Sequence, residues 1–398
     1  HRRASVAACV ESVERHGVTF LAVSDRLGYR NQFGTDFSVC CLAEPVRAGG
    51  WAGAGPLEVV GLRHGRGTSD AARGHWQRLA RRYMDIEISD AEWLKLQRGG
   101  SLAVLEHFPV YRNLLVLGAL ERLPPERLVV YLDALDMLML RPARELPERY
   151  CEQQWRAHAR ALARSPPWPS KPPVERLIFG AEEQCYPFPD YYRNSSEKTY
   201  GVNMSRLAVR LHNRTITGED VCHELEQHAQ GSRRFLNGGG VVGRAAALRR
   251  FLSLTVRDWM KDPEAGPFIS SCQGSWLLTM LKYPHLGLLD GDAEIFLNLH
   301  GGGMAAAQQV CQGQPWPWPW SRGSGPPVFL HFNGKGKGIL SQCVAHFRRS
   351  WRGAGCALRD LDAGGELLVP GPEHRCGAAS EEPQPSGDVG PAAGKGEE

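Results

Sequence analysis

One segment, residues 128–140 (LVVYLDALDMLML), constrains the fold of this chain more than any other. Its apolar run is rich in β-branched residues, which is typical of a strand buried inside a sheet. Two carboxylates, Asp133 and Asp136, interrupt the run. A strand that ends in paired carboxylates is one way to hold a divalent cation, because Mg²⁺ and Mn²⁺ prefer hard oxygen ligands. A solvated turn or a helix N-cap gives the same pattern, so these interpretations stay open.

Other apolar segments predict an α/β fold. Residues 18–24 and 56–62 are predicted strands, and a helix predicted over residues 37–46 would join them into a parallel βαβ unit. Further strands are predicted over residues 176–181, 295–299 and 328–331. Apolar residues at helical spacing predict helices over residues 111–122, 151–163, 245–260 and 275–283.

Polar and glycine- or proline-rich segments separate these elements. We predict one domain over residues 1–369, with insertions at about residues 65–108, which include a helical pattern at 76–84, and 186–233, a surface excursion. Residues 235–243 (FLNGGGVVG) predict a glycine-rich turn, and residues 165–173 and 315–320 predict proline-rich loops. Residues 370–398 predict a disordered tail.

Bulk properties exclude several classes of protein. The net charge of +4 is too small to indicate a nucleic-acid partner. The sequence contains no uncharged apolar run of about 18 residues, so we predict no membrane span. None of the 11 cysteines forms a C-x-x-C pair, which disfavours a zinc ribbon. Sequons at Asn194, Asn203 and Asn213 favour a secretory route modestly. The chain begins at His1, so we expect a fragment that lacks upstream residues, and these can include a targeting segment.

Five segments together resemble a known family: LVVYLDALDMLML, RLIFGAEEQCYP, RRFLNGGGVVG, EIFLNLHG and PVFLHFNGKGKG. In this order they are similar to the glycosyltransferase domain of the collagen lysyl hydroxylases. The resemblance covers roughly residues 18–340 and does not include the iron-binding dioxygenase domain. It implies a GT-A fold, a Rossmann-like nucleotide-sugar domain with large loop insertions. It also implies Mn²⁺-dependent transfer of glucose or galactose from a UDP-sugar to a hydroxylysine-type acceptor in a collagen-like protein.

The resemblance also implies a set of metal ligands. The family's D-x-x-D motif matches Asp133 and Asp136, and a late family histidine matches His331. Two carboxylates and one neutral imidazole leave positions open for two phosphates. Typical metal–ligand distances then predict side-chain tips within roughly 6 Å of one another. Without the resemblance, His331 would be read as a strand-end histidine with a satisfied hydrogen bond.

Nucleotide contacts follow from the same resemblance. The segment after the histidine touches UDP in the family, and here it contains Gly334, Lys335, Gly336 and Lys337. Glycines let backbone N–H groups approach an anion, and lysine supplies positive charge. The family's first strand and its metal motif place three further residues near the nucleotide, which are Val23, Ser24 and Leu135.

Two residues match family positions beside the donor sugar. Glu182 matches an acid, although on its own it would be read as an ordinary turn residue. Asn237 matches an asparagine whose amide can hydrogen-bond sugar hydroxyls. The glycines after Asn237 fit either a close backbone approach or a turn with positive φ. Cys185 matches a family cysteine, and Tyr186 replaces a tryptophan.

One difference from the family's motifs leaves open whether this chain is catalytically active. The family carries catalytic aspartates in a D-D-Q run, and the equivalent here is Ser271-Cys272-Gln273. A hydroxyl or thiol cannot replace an ionised acid. Either Asp262, Glu264 or Glu182 takes this role, or activity is weak or lost. The sequence thus predicts an active glycosyltransferase of the endoplasmic reticulum or Golgi lumen, or a degenerate domain that binds a nucleotide sugar or a protein partner. A phosphotransferase is disfavoured because G-x-x-x-x-G-K-[ST] is absent.

Overall fold

A large mixed β-sheet with helices on both faces dominates the computed structural model. The structure describes residues 2–24, 53–55, 57–63, 74, 77–85, 87, 89–91, 108–133, 136–164, 175–189, 194, 203–211, 214–228, 233–260, 272–300, 304–312, 314, 325–336, 338–340, 342–343, 359–361 and 367–368. The predictions for residues 37–46, 165–173, 315–320 and 370–398 lie outside these ranges.

The strands form one large sheet and a separate hairpin. Their bounds are β1 (Val18–Ser24), β2 (Leu57–Arg63), β3 (Leu128–Asp133), β4 (Met137–Met139), β5 (Leu177–Glu182), β6 (Ala208–Leu211), β7 (Arg214–Thr217), β8 (Phe235–Arg244), β9 (Gly287–Asp290), β10 (Phe296–Asn298), β11 (Phe329–His331), β12 (Arg359–Leu361) and β13 (Leu367–Leu368). The order in the large sheet is β13-β12-β2-β1-β3-β8-β5-β10-β11-β4, with β9 paired to β5. The hairpin is β6-β7.

The helices lie between these strands in the chain. Their bounds are α1 (Arg2–His16), α2 (Phe108–Leu120), α3 (Leu146–Arg164), α4 (Gly218–His228), α5 (Ala245–Thr255), α6 (Cys272–Lys282) and α7 (Met304–Cys311). Short 3₁₀ turns cover Ala143–Glu145, Met204–Arg206, Pro284–Leu286 and Gly334–Gly336, and π-helical turns cover Ala80–Met84 and Val256–Met260. The predicted helices at 111–122, 151–163, 245–260 and 275–283 are confirmed, as is a helical turn within 76–84.

Alternation along the central strands divides the core into two layers. On β3, Tyr131 faces the layer formed with α2, α5 and α6, where its ring contacts Trp276 edge-on at 5.3 Å. Val130 faces the opposite layer, formed with α1 and α3. Because both faces of the sheet are covered, the strands carry near-continuous apolar sequences. The Cys9–Cys151 disulfide joins α1 to α3.

The strand predicted over residues 128–140 is two strands, which corrects the sequence interpretation. β3 ends at Asp133, and β4 begins at Met137 after a turn in which the Asp136 amide donates to the Asp133 carbonyl at 3.4 Å. β4 then pairs antiparallel with β11. The predicted parallel pairing of β1 with β2 is confirmed, but the whole sheet is mixed because β8 runs antiparallel to β3 and β5.

The predicted turn at residues 235–243 is wrong, because the segment is the fully buried central strand β8. None of its glycines has a positive φ. They leave room instead: a Cβ on Gly240 would lie 2.7 Å from the Phe296 ring, and one on Gly243 would lie 2.4 Å from Leu177 Cδ2. Close packing of neighbouring side chains explains this glycine run.

The predicted surface excursion at residues 186–233 is also different from expectation. Its described parts are the β6-β7 hairpin and α4, which pack on the main core through buried residues such as Phe188, Met204 and Val221. The Cys185–Cys222 disulfide ties α4 to the segment after β5. The polar composition of this segment therefore obscured the apolar residues at hairpin and helix spacing that bury it against the core.

None of the helices in the described residues is long and apolar enough to cross a bilayer. Six of the seven cysteines in the described residues form disulfides, which are Cys9–Cys151, Cys185–Cys222 and Cys311–Cys343. Structural disulfides persist in oxidising compartments, so these three are compatible with the secretory pathway.

Candidate metal centre

Polar residues end every parallel strand in the middle of the sheet. β1, β3, β5, β10 and β11 run in one direction, and their last residues are Ser24, Asp133, Glu182, Asn298 and His331. The carboxyl ends of parallel strands meet at one edge, which is where open α/β sheets bind ligands. Five polar strand ends at the same edge define the candidate site.

The predicted metal ligands converge at this edge. One ligand atom from each of Asp133, Asp136 and His331 lies within 4.8 Å of the others, which confirms the predicted proximity. The turn after β3 and the antiparallel pairing of β4 with β11 bring Asp136 beside His331. The Phe332 amide also donates to the Asp136 carbonyl at 2.7 Å.

The donor set fits a divalent cation. Asp136 and His331 are buried, and Asp133 is half-buried. Two carboxylates this close repel each other, and a cation between them removes that repulsion. Carboxylate oxygens with an imidazole nitrogen suit Mn²⁺, and they leave coordination positions open. The fit supports a metal centre without identifying the metal.

Asn298 fixes the tautomer of His331. The Asn298 amide donates through Nδ2 to the Ala181 carbonyl at 2.9 Å, and a carbonyl can only accept. Its Oδ1 therefore faces His331 Nδ1, at 2.7 Å, and that nitrogen must donate. A neutral His331 protonated on Nδ1 presents the lone pair of Nε2, the form of imidazole that binds metals.

We expect Asn298→Ala to lower Mn²⁺ affinity about 10- to 100-fold, because outer partners of metal-binding histidines carry effects of this size. Asn298→Asp keeps an acceptor for the Nδ1 proton and is expected to retain more affinity. Titration calorimetry with MnCl₂ measures both variants. Wild-type affinity in Asn298→Ala would show that His331 does not depend on this bond.

Gly239 provides the space for the histidine ring. A Cβ on Gly239 would lie 2.1 Å from His331 Cε1 and 2.5 Å from Nε2. The imidazole thus lies directly against the backbone of β8. The same glycine donates its N–H to Asn237 Oδ1 at 2.9 Å, which links the metal edge to the predicted sugar residue.

Glu182 is held by three side-chain amides. Its Oε2 accepts from Asn237 at 3.2 Å and from Asn333 at 3.0 Å, and its Oε1 accepts from Gln273. Each amide oxygen accepts a backbone N–H in turn, from Gly239, His300 and Gly238 respectively. Those N–H donors fix the amide orientations, so three NH₂ groups point at one carboxylate.

Burial and hydrogen bonding oppose each other at this carboxylate. Glu182 is 2% exposed, and burial raises its pKa to about 8. The donors from Gln273, Asn237 and Asn333 act in the opposite direction, because hydrogen bonds to the charged form favour it, but the effect of burial is larger. Three fixed amides bind its two oxygens, so we infer that this group positions its neighbours.

We expect stability to fall as pH rises from about 4.5 to about 8, because folded Glu182 keeps a proton that the unfolded chain has lost. The contribution is on the order of 4 kcal/mol over this range. Glu182→Gln removes it. Denaturant unfolding in EDTA at pH 5 and pH 8 compares the two proteins. Equal pH dependence in wild type and variant would contradict this account.

The segment after His331 forms a tight turn over Gly334–Gly336. Gly334 has a φ of +53°, and a Cβ there would lie 2.1 Å from His300 Nδ1. The Gly336 amide donates to the Asn333 carbonyl at 2.9 Å. This glycine turn follows the strand that ends in His331, and of Lys335 only the backbone is described. The contact of this segment with UDP stays a prediction.

For the other residues predicted to contact the nucleotide, the structure gives less information about their position relative to the metal centre. Val23 pairs in register with Asp133, but its side chain is buried in the core. β1 ends at Ser24 beside this position. Leu135 and Lys337 lie outside the described residues.

The segment that differs from the D-D-Q run of the family that the sequence resembles contributes Gln273 to the site. Gln273, in the first turn of α6, bonds both Glu182 and the Gly238 amide. Cys272 precedes it and is half-buried and outside any disulfide. Ser271 lies outside the described residues, as do the predicted alternative acids Asp262 and Glu264.

The contacts that support the site had little or no local signal in the sequence. Asn298 ends β10, and a polar residue that closes an apolar run was the signal available for it. The contacts of Gln273 and Asn333 depend on tertiary structure and had no local signal. The same holds for Arg112, whose side chain lies 3.9 Å from Asp133.

Comparison with known proteins does not identify a family. No protein-family model matches the chain, and no curated protein matches it significantly. The geometry of the site therefore carries the functional argument.

Proposed function

We propose that this protein is a Mn²⁺-dependent glycosyltransferase of GT-A architecture that uses a UDP-sugar. The observation that carries the proposal is the convergence of Asp133, Asp136 and His331 at the carboxyl edge of the sheet. Nucleotides bind at this edge in α/β sheets, and the adjoining Gly334–Gly336 turn provides a close backbone approach. The α/β architecture is compatible with the Rossmann-like fold that the resemblance implies.

Each group of residues has a role in this proposal. Asp133, Asp136 and His331 hold the metal, which when bound supplies positive charge to a diphosphate leaving group. The Gly334–Lys337 segment contacts the diphosphate. Asn298 keeps Nε2 of His331 unprotonated.

The sugar side of the site is formed by β8 and β5. Asn237 lies at the start of β8 and is held by both Glu182 and the Gly239 amide. We assign Glu182 the role of orienting this amide toward donor hydroxyls. Glucose or galactose as the donor sugar, and a hydroxylysine-type residue of a collagen-like protein as the acceptor, rest on the sequence resemblance. The three disulfides support action in the endoplasmic reticulum or Golgi lumen.

The experiment that tests this function combines binding and turnover. UDP is titrated calorimetrically with MnCl₂ and with EDTA, and hydrolysis of UDP-glucose and UDP-galactose is then assayed with MnCl₂. We expect UDP binding that requires Mn²⁺, and release of UDP from one donor. Metal-independent UDP binding or no binding at all would contradict the proposal.

A second candidate is a domain that binds a nucleotide sugar, or a protein partner, without turnover. One observation favours it: Gln273 lies in the site, so Cys272 stands where the resemblance implies a catalytic carboxylate. Glu182 is poorly suited to replace that acid, because three amides already bind its oxygens. Mn²⁺-dependent UDP binding without donor hydrolysis or transfer would select this candidate.

A further inference from the structure

A buried arginine side chain lies beside the candidate metal centre. Arg112, on α2, is 6% exposed, and one of its terminal nitrogens lies 3.9 Å from Asp133 Oδ2. The resemblance to the glycosyltransferase domain assigns it no role. Asp133 is one of the two carboxylates that converge on the candidate cation site, so a positive charge beside it requires an explanation.

Packing holds this arginine in place. Its guanidinium lies over the Tyr131 ring, 5.1 Å from the centroid. Tyr131 and Asp133 share one face of β3, because alternate residues of a strand point the same way. The neighbouring Asn113 accepts a hydrogen bond from Trp276 Nε1 at 3.0 Å, which ties the middle of α2 to α6. The position of Arg112 relative to Asp133 is therefore part of the packed core.

The separation indicates how Arg112 acts. At 3.9 Å its nitrogen is too far from Asp133 for a hydrogen bond, so it does not orient the carboxylate directly. Charge acts over this distance, and burial reduces screening by salt. Arg112 thus changes the electrostatic potential at the metal position.

The formal charges predict two opposite effects. Asp133 and Asp136 are both negative, and His331 is neutral when Nδ1 alone carries its proton. Arg112 offsets one negative charge, so the empty ligand set attracts a divalent cation less strongly. Once the cation is bound, Arg112 leaves the site with an excess of positive charge, which attracts an anion such as a diphosphate.

We propose that Arg112 sets the charge of the metal centre, weakening the binding of the metal alone and strengthening the binding of a nucleoside diphosphate to the metal-loaded site. The first effect depends only on the metal centre. The second rests on the proposed function, so the two can fail separately.

Arg112→Gln tests both effects in one protein. We expect Mn²⁺ affinity, measured by calorimetry with MnCl₂ alone, to rise about tenfold. UDP affinity at saturating MnCl₂ is expected to fall about tenfold. A purely structural role would not move the two affinities in opposite directions. Arg112→Met removes the same charge and serves as the second variant if Arg112→Gln does not fold.

Arg112→Lys is the matched control, because it keeps the charge and loses the planar stacking group. We expect both of its affinities to stay within about threefold of wild type. Weaker Mn²⁺ binding in Arg112→Gln would overturn the proposal in favour of an orienting role, and unchanged affinities would overturn it as well. If Arg112→Gln binds Mn²⁺ more tightly but even the wild type does not bind UDP, the proposed effect of Arg112 on metal affinity stands. The proposed function is then rejected.

Discussion

Asp136→Ala is expected to lower Mn²⁺ affinity more than 100-fold and to abolish the Mn²⁺-dependent part of UDP binding. Loss of a partner outside the ligand set costs about 10- to 100-fold, so loss of a charged ligand costs more. The fold is expected to survive, because removing one of two carboxylate ligands with tips within 4.8 Å of each other relieves repulsion. Calorimetric titration with MnCl₂, followed by UDP, measures the effect.

Asp292→Ala is the control for this substitution. Asp292 is an exposed acid outside the ligand set, so its loss removes the same charge from the protein without changing the metal centre. We expect wild-type Mn²⁺ affinity in this control. If Asp136→Ala also binds Mn²⁺ as wild type does, Asp136 is not a ligand.

Gly239→Ala is expected to destabilise the protein by about 3 kcal/mol and to lower Mn²⁺ affinity at least tenfold. The added methyl would lie 2.1 Å from His331 Cε1, and overpacking of a rigid interior carries a cost of this order. Either the imidazole moves away from the carboxylates or β8 shifts, and both changes disturb the site. Thermal and denaturant unfolding give the stability, and calorimetry gives the affinity.

Gly238→Ala provides the comparison on the same strand. A Cβ there would lie 3.2 Å from Gln273 Cβ, so only a small adjustment is required. We expect a cost of about 1 kcal/mol or less and little change in Mn²⁺ affinity. Equal effects of the two substitutions would mean that an added methyl disturbs β8 equally at Gly238 and Gly239, and that Gly239 has no special relation to His331.

Local sequence patterns were sufficient to place much of the sheet and to single out two of the three candidate metal ligands. β1 and the helices α2, α3, α5 and α6 follow from apolar periodicity, which records burial directly. Asp133 and Asp136 stand out because carboxylates interrupt a buried run. The predicted proximity of His331 rested on the family resemblance and is confirmed by the structure.

Tertiary pairing explains what the sequence patterns missed. A run of glycines is typical of a turn, and only the neighbours of β8 reveal that its glycines make room for His331 and Phe296. β4 was merged with β3 because both are apolar, and its separate role depends on antiparallel pairing with β11. The amides around Glu182 come from three distant segments, and no local pattern records such a contact.

Anomalous diffraction at the manganese edge, from crystals grown with MnCl₂ and UDP, shows whether Asp133, Asp136 and His331 bind the metal. We expect a manganese peak about 2.0–2.3 Å from a carboxylate oxygen of Asp133, a carboxylate oxygen of Asp136 and Nε2 of His331. We also expect UDP density between that peak and the Gly334–Gly336 turn. A manganese peak elsewhere, or UDP bound away from these three residues, would contradict this expectation.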